Sequence, residues 1–144
     1  MSDPTADANA TTNTRSKALT FSARLALTFA IFLALAEIRR NWGDWGYWPF
    51  WVVDYIAVVL LLAGWRTVNS RPSARGPGML CGAWGFTCAM FYASFFSHMQ
   101  HLDKPDHGPD DPVRLTIVIG VLFAFTIAGF ALALVGASRS ALRQ

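Results

Sequence analysis

The sequence predicts an all-α integral membrane protein, one four-helix bundle with both termini cytoplasmic. Three observations lead there. Hydrophobic residues make up 53% of the 144-residue chain and charged residues 15%, with a mean hydropathy of +0.34; a soluble domain carries about 25% charged residues. The apolar residues are gathered into four blocks parted by short polar joints. Lys and Arg concentrate at one set of block ends. This balance excludes a disordered chain and a secreted disulfide scaffold. The formal net charge of +3 is too small, and its basic residues too scattered, for a nucleic-acid surface.

Residues 1–17 are polar, rich in Thr, Asp and Ala, with no apolar run of their own. A disordered tail is expected there rather than a cleaved signal peptide. The membrane domain is expected over 18–137, with helices near 18–38, 48–66, 78–101 and 112–137, and a short tail at 138–144. Crossing the hydrocarbon core takes about 20 apolar residues. The first block contains LALTFAIFLALA, from Leu25 to Ala36, and places Arg24 and Glu37 near its ends, where long side chains reach an interface. The second block, Pro49 to Trp65, is the shortest and carries Asp54. The third runs from Gly78 to Met99 with no charge before His98. The fourth, Val113 to Val135, holds one charge, Arg114, at its edge and shows no polar face, unlike a soluble bundle helix.

Orientation follows from the basic residues. Eight of the twelve (Arg15, Lys17, Arg24, Arg66, Arg71, Arg75, Arg139 and Arg143) flank one side of the predicted bundle. The positive-inside bias puts that side, with both termini, in the cytoplasm. Seven of the nine acids and all three histidines fall at the opposite, outer ends. Ten Arg against two Lys, with abundant Ala, fits a GC-rich bacterial genome and hence a bacterial inner membrane.

The candidate functional residues therefore lie at the outer face. Asn41 to Trp51 reads NWGDWGYWPFW, with Trp42, Trp45, Trp48 and Trp51 at every third position. Indoles favour the headgroup level, so an interfacial aromatic belt is expected there in preference to an aromatic cage. Along Tyr92 to His101, Ser94, Ser97, His98 and His101 share one helical face, and Tyr92, Phe95, Phe96 and Met99 the other. Glu37 and Asp54 are expected at the same level on the first two helices. Glu37, Asp54, Ser94, Ser97, His98 and His101 thus form a candidate proton or substrate cluster. Glu37, Asp54, His98 and His101 are also a candidate ligand set for a divalent metal. The third possibility is structural: hydrogen bonding between helices, with Arg39 or Arg40 beside Asp54. No cofactor is predicted outright; bis-histidine haem ligation in one chain is disfavoured because all three histidines belong to one helix and its loop.

The loop from Asp103 to Arg114 lacks EF-hand spacing and reads as a turn, with Asp111 as N-cap and Pro112 opening the fourth helix. Gly78, Cys81, Gly82, Gly85, Ala89 and Ala93 form a ladder of small residues on the third helix, expected to pack at the bundle centre or at a dimer seam. Cys81 and Cys88 fit it as packing groups, standing about 10 Å apart along a helix and so unable to bridge. No phosphate-binding loop, nucleophile elbow or HExxH motif is present. The expected function is non-enzymatic: a membrane protein whose partners are the lipid bilayer and either further copies of itself or a larger membrane complex, with no nucleic acid. Proton- or cation-coupled transport by a homo-oligomer is the first alternative, and a small membrane enzyme or metal-handling protein the second.

Overall fold

A computed structural model describes residues 17–40, 42, 48–70, 75–102 and 111–141. Four helices account for nearly all of them: α1 (Lys17–Arg40), α2 (Trp48–Ser70), α3 (Arg75–Gln100) and α4 (Pro112–Ala141). All four are long and apolar enough to cross a membrane. The chain is a small four-helix membrane protein.

The helices outrun their apolar blocks, chiefly where α2 reaches Ser70, α3 begins at Arg75 and α4 continues to Ala141. The physical reason is that hydropathy marks the hydrocarbon, whereas a helix ends only where its backbone is interrupted. At 30 residues α4 is about 45 Å long, against a hydrocarbon core of about 30 Å. Its start is fixed locally. The Asp111 carboxylate accepts a hydrogen bond from the Val113 N–H at 3.0 Å, and the Asp111 carbonyl accepts the Leu115 N–H at 3.0 Å. Pro112 sits where no donor is needed. Pro77 likewise falls in the first turn of α3.

Neighbours in sequence are neighbours in space, and α4 closes back on α1; α1 meets α3 only slightly, and α2 does not touch α4 among the described residues. The contacts are antiparallel around this ring. Gly64 of α2 lies against Leu80 of α3, Gly120 of α4 against Phe95 of α3, and Gly136 of α4 against Leu19 of α1. A Cβ at Gly136 would stand 2.8 Å from the Leu19 backbone nitrogen, so glycine is what lets α1 and α4 approach this closely.

Three helices meet at Trp84 of α3, whose side chain is 0% exposed. Its indole N–H donates to the Ser22 hydroxyl of α1 at 3.0 Å. That hydroxyl in turn donates to the Gly129 carbonyl of α4 at 2.9 Å. Gly129 also makes room for the ring, since a Cβ there would come within 2.5 Å of indole carbons. Phe29 of α1 packs edge-on against both Trp84 and Phe91, extending the core towards the opposite end. The other buried hydroxyls, Thr87, Thr116 and Thr126, donate to carbonyls of their own helices.

The small-residue ladder of α3 does not fill the bundle centre. Gly78, Gly82, Ala89 and Ala93 are exposed, and a Cβ at Gly78 or Gly82 would meet nothing within 4 Å. Gly85 makes an ordinary contact with Phe130, and Cys81 is half-buried against the core. The spacing identifies a small face but not the direction it points. Close approach is delivered instead by Gly76 in the first turn of α3 and by glycines of α2 and α4. Both cysteines are free thiols.

Two glycine substitutions check this division. Gly129→Ala should destabilise the protein in mild detergent by about 1–3 kcal/mol, since the indole must move or strain. Gly82→Ala, on the open face, should be neutral or slightly stabilising, as alanine favours a helix by about 0.5–1 kcal/mol over glycine. Equal thermal-unfolding shifts for the two would contradict the packing described.

Candidate functional site

All the described acids lie at one end of the bundle, where α1 and α3 finish and α2 and α4 begin. Glu37 occupies the last turn of α1 and Asp54 the second turn of α2. Because these helices run antiparallel, the two residues meet at one level. Both are half-buried, and their carboxyl groups lie within interaction distance of each other. Arg40, one turn beyond Glu37 and exposed, is near enough to act electrostatically on Asp54. Basic residues suit this position, since Arg39 and Arg40 close α1 where the helix dipole is negative.

Two carboxylates offer acceptors only, so carboxyl groups held side by side need a donor or a cation beside them, and the Arg40 guanidinium is the cation at this level. That answers how an aspartate is accommodated on an apolar helix, where an uncompensated carboxylate costs about 2.5–3.5 kcal/mol at full depth.

The histidines of α3 are engaged elsewhere. His98 Nδ1 lies 2.8 Å from the Ser94 carbonyl, and His101 Nδ1 lies 2.7 Å from the Ser97 carbonyl. A carbonyl oxygen only accepts, so in each bond the imidazole donates from Nδ1. His98 is half-buried and His101 exposed. The two imidazoles therefore hold to their own helix, with Ser94 and Ser97 contributing backbone carbonyls. Among the described residues no group of three or more His, Cys, Asp and Glu side chains is gathered closely enough to hold a metal ion. Glu37 and Asp54 are brought together; His98 and His101 are not brought to them. The nearest polar partners of the two imidazoles are the carbonyls one turn back on α3.

The aromatic face of the same segment packs on α4. Phe95 stacks with Phe123 at 6.0 Å, and Tyr92 meets Phe123 edge-on at 6.0 Å. Of the four belt tryptophans, Trp42 is 83% exposed and Trp51 is half-buried with its ring edge-on to Tyr55 at 5.8 Å. Trp45 and the side chain of Trp48 lie outside the described residues, as do His107 and the loop acids 103–110.

Sequence reasoning missed Ser22. Its signal was the isolation of a serine and a mid-block tryptophan within otherwise apolar helices, but nothing in either helix names the other as partner. Compared with known protein families, with characterised proteins and with solved structures, the chain matches none of them.

Proposed function

We propose that this is a non-enzymatic membrane subunit, acting as a homo-oligomer or as an accessory part of a larger membrane complex. Its Glu37–Asp54–Arg40 unit serves as polar glue between α1 and α2. The observation that carries the reading is the pairing of the two carboxyl groups at one level beside Arg40. It satisfies them within the bundle instead of aiming them, with the histidines, at a common ligand. The interior supports it too: the core from Leu19 to Ala133 is apolar, and its buried hydroxyls are bonded. Assembly is supported by Gly78 and Gly82, which weaken α3 by roughly 0.5–1 kcal/mol each without letting another helix of the same bundle approach. In this reading both termini lie on the cytoplasmic side of a bacterial inner membrane, as the basic residues favour.

One observation favours a second reading. Glu37 and Asp54 stand at one level, and two adjoining carboxyl groups are the chemistry that holds and releases a proton, as proton-coupled transport by a homo-oligomer would require.

Substitution of the pair separates the two. Under the glue reading Asp54→Asn and Glu37→Gln, made singly, each stay within about 1 kcal/mol of the parent in thermal unfolding, because an amide keeps the shape and supplies a hydrogen-bond donor to the remaining carboxylate. Asp54→Ala strands Glu37 and should cost about 1–3 kcal/mol. Proteoliposomes of the parent should then show no proton flux. A flux abolished by Asp54→Asn in protein that still folds would establish the second reading instead.

Native mass measurement in mild detergent, with elemental analysis, tests the assembly. The expected species is a multiple of 15.8 kDa or a larger co-purifying complex. Gly82→Leu should shift a self-assembled species towards the single chain without unfolding it. A single chain carrying stoichiometric metal would overturn the proposal.

A further inference from the structure

The end of the bundle opposite Asp54 has a different electrostatic character. Lys17 and Arg24 of α1, Arg66 of α2, Arg75 of α3 and Arg139 of α4 lie towards it, every one of them exposed. The described acids, Glu37, Asp54 and Asp111, all lie at the other end, interspersed with Arg39, Arg40 and Arg114. The sequence adds Arg15, Arg71 and Arg143 beside the basic helix ends. All four helices thus contribute cations to one end, and no described acid at that end offsets them.

Arg24 gives this end depth. It lies seven residues from Lys17, so the two share one face of α1, about 10 Å apart along the axis. That face points away from the core residues Ser22, Ala23, Ala26, Phe29 and Ala30, and carries exposed Phe21 between the two cations. Helical side chains lean towards the amino terminus, which directs Arg24 back to Lys17. A guanidinium on the outward face of a spanning helix gains most from a phosphate at the headgroup level, with Phe21 against the acyl chains.

We propose that the Lys17 end of the bundle is a binding surface for anionic phospholipids, with the Lys17–Phe21–Arg24 face of α1 as its deepest contact. The argument is charge complementarity. A cation close to an anionic leaflet strengthens binding about fivefold, and a uniformly basic rim sums these contributions where a mixed rim cancels them. The opposite end, with acids and bases interspersed, has no such preference.

The test is native mass spectrometry of the full chain released from nanodiscs containing phosphatidylcholine and phosphatidylglycerol in equal amounts. Phosphatidylglycerol should be retained in preference to phosphatidylcholine. Arg24→Gln should reduce that preference by about fivefold. Arg24→Lys should keep it, which separates lost charge from lost fold. Arg114→Gln, at the mixed end, should leave it unchanged. Equal retention of the two lipids by the parent would overturn the proposal. So would an Arg114→Gln effect as large as that of Arg24→Gln.

Discussion

One hydroxyl group ties the bundle together. Ser22 accepts from the Trp84 indole and donates to the Gly129 carbonyl, so a single side chain joins α1, α3 and α4. In water such bonds would exchange with solvent for little net gain. Inside a hydrocarbon-embedded bundle, an indole N–H without a partner has no such recourse, and leaving it unmet costs about 1–3 kcal/mol. Hydrophobic burial cannot choose among helix rotations here, since lipid is as apolar as the core. The Ser22–Trp84 bond makes that choice, because rotating α1 or α3 would break it. Gly129 enforces the same arrangement sterically by accepting the ring where any side chain would clash.

Once α1 is fixed against α3 and α4, the rest follows. Its far end carries Glu37 to the level of Asp54 on α2, where the two carboxyl groups meet beside Arg40. On α3, His98 and His101 bond to carbonyls of their own helix. Charge is sorted along the axis as a result. Among the described residues, every acid lies at one end, and the other end carries basic residues alone.

Much of the fold was legible in the sequence, because the bilayer imposes a length that any apolar block must meet. Val113 to Val135 declares a span without reference to the rest of the chain, and Asp111-Pro112 declares where α4 starts. The common level of Glu37 and Asp54 was also legible, since both stand near the ends of consecutive antiparallel blocks. What a block cannot reveal is which way it faces. Gly78, Gly82, Ala89 and Ala93 have the spacing of a helix seam, yet they point outwards. The residues that let helices approach, Gly64, Gly120, Gly129 and Gly136, were unremarked glycines in apolar runs. The Ser22–Trp84 bond spans 62 positions, and no local pattern encodes it.

The most direct test is a double-mutant cycle on that bond, read by thermal unfolding of the full chain in mild detergent. Ser22→Ala alone should cost about 1–3 kcal/mol, because it leaves the Trp84 N–H buried without its acceptor. After Trp84→Phe has removed that donor, Ser22→Ala should cost less by about 0.5–2 kcal/mol. Strictly additive losses would mean that the two side chains do not interact, and the central constraint of the bundle would lie elsewhere.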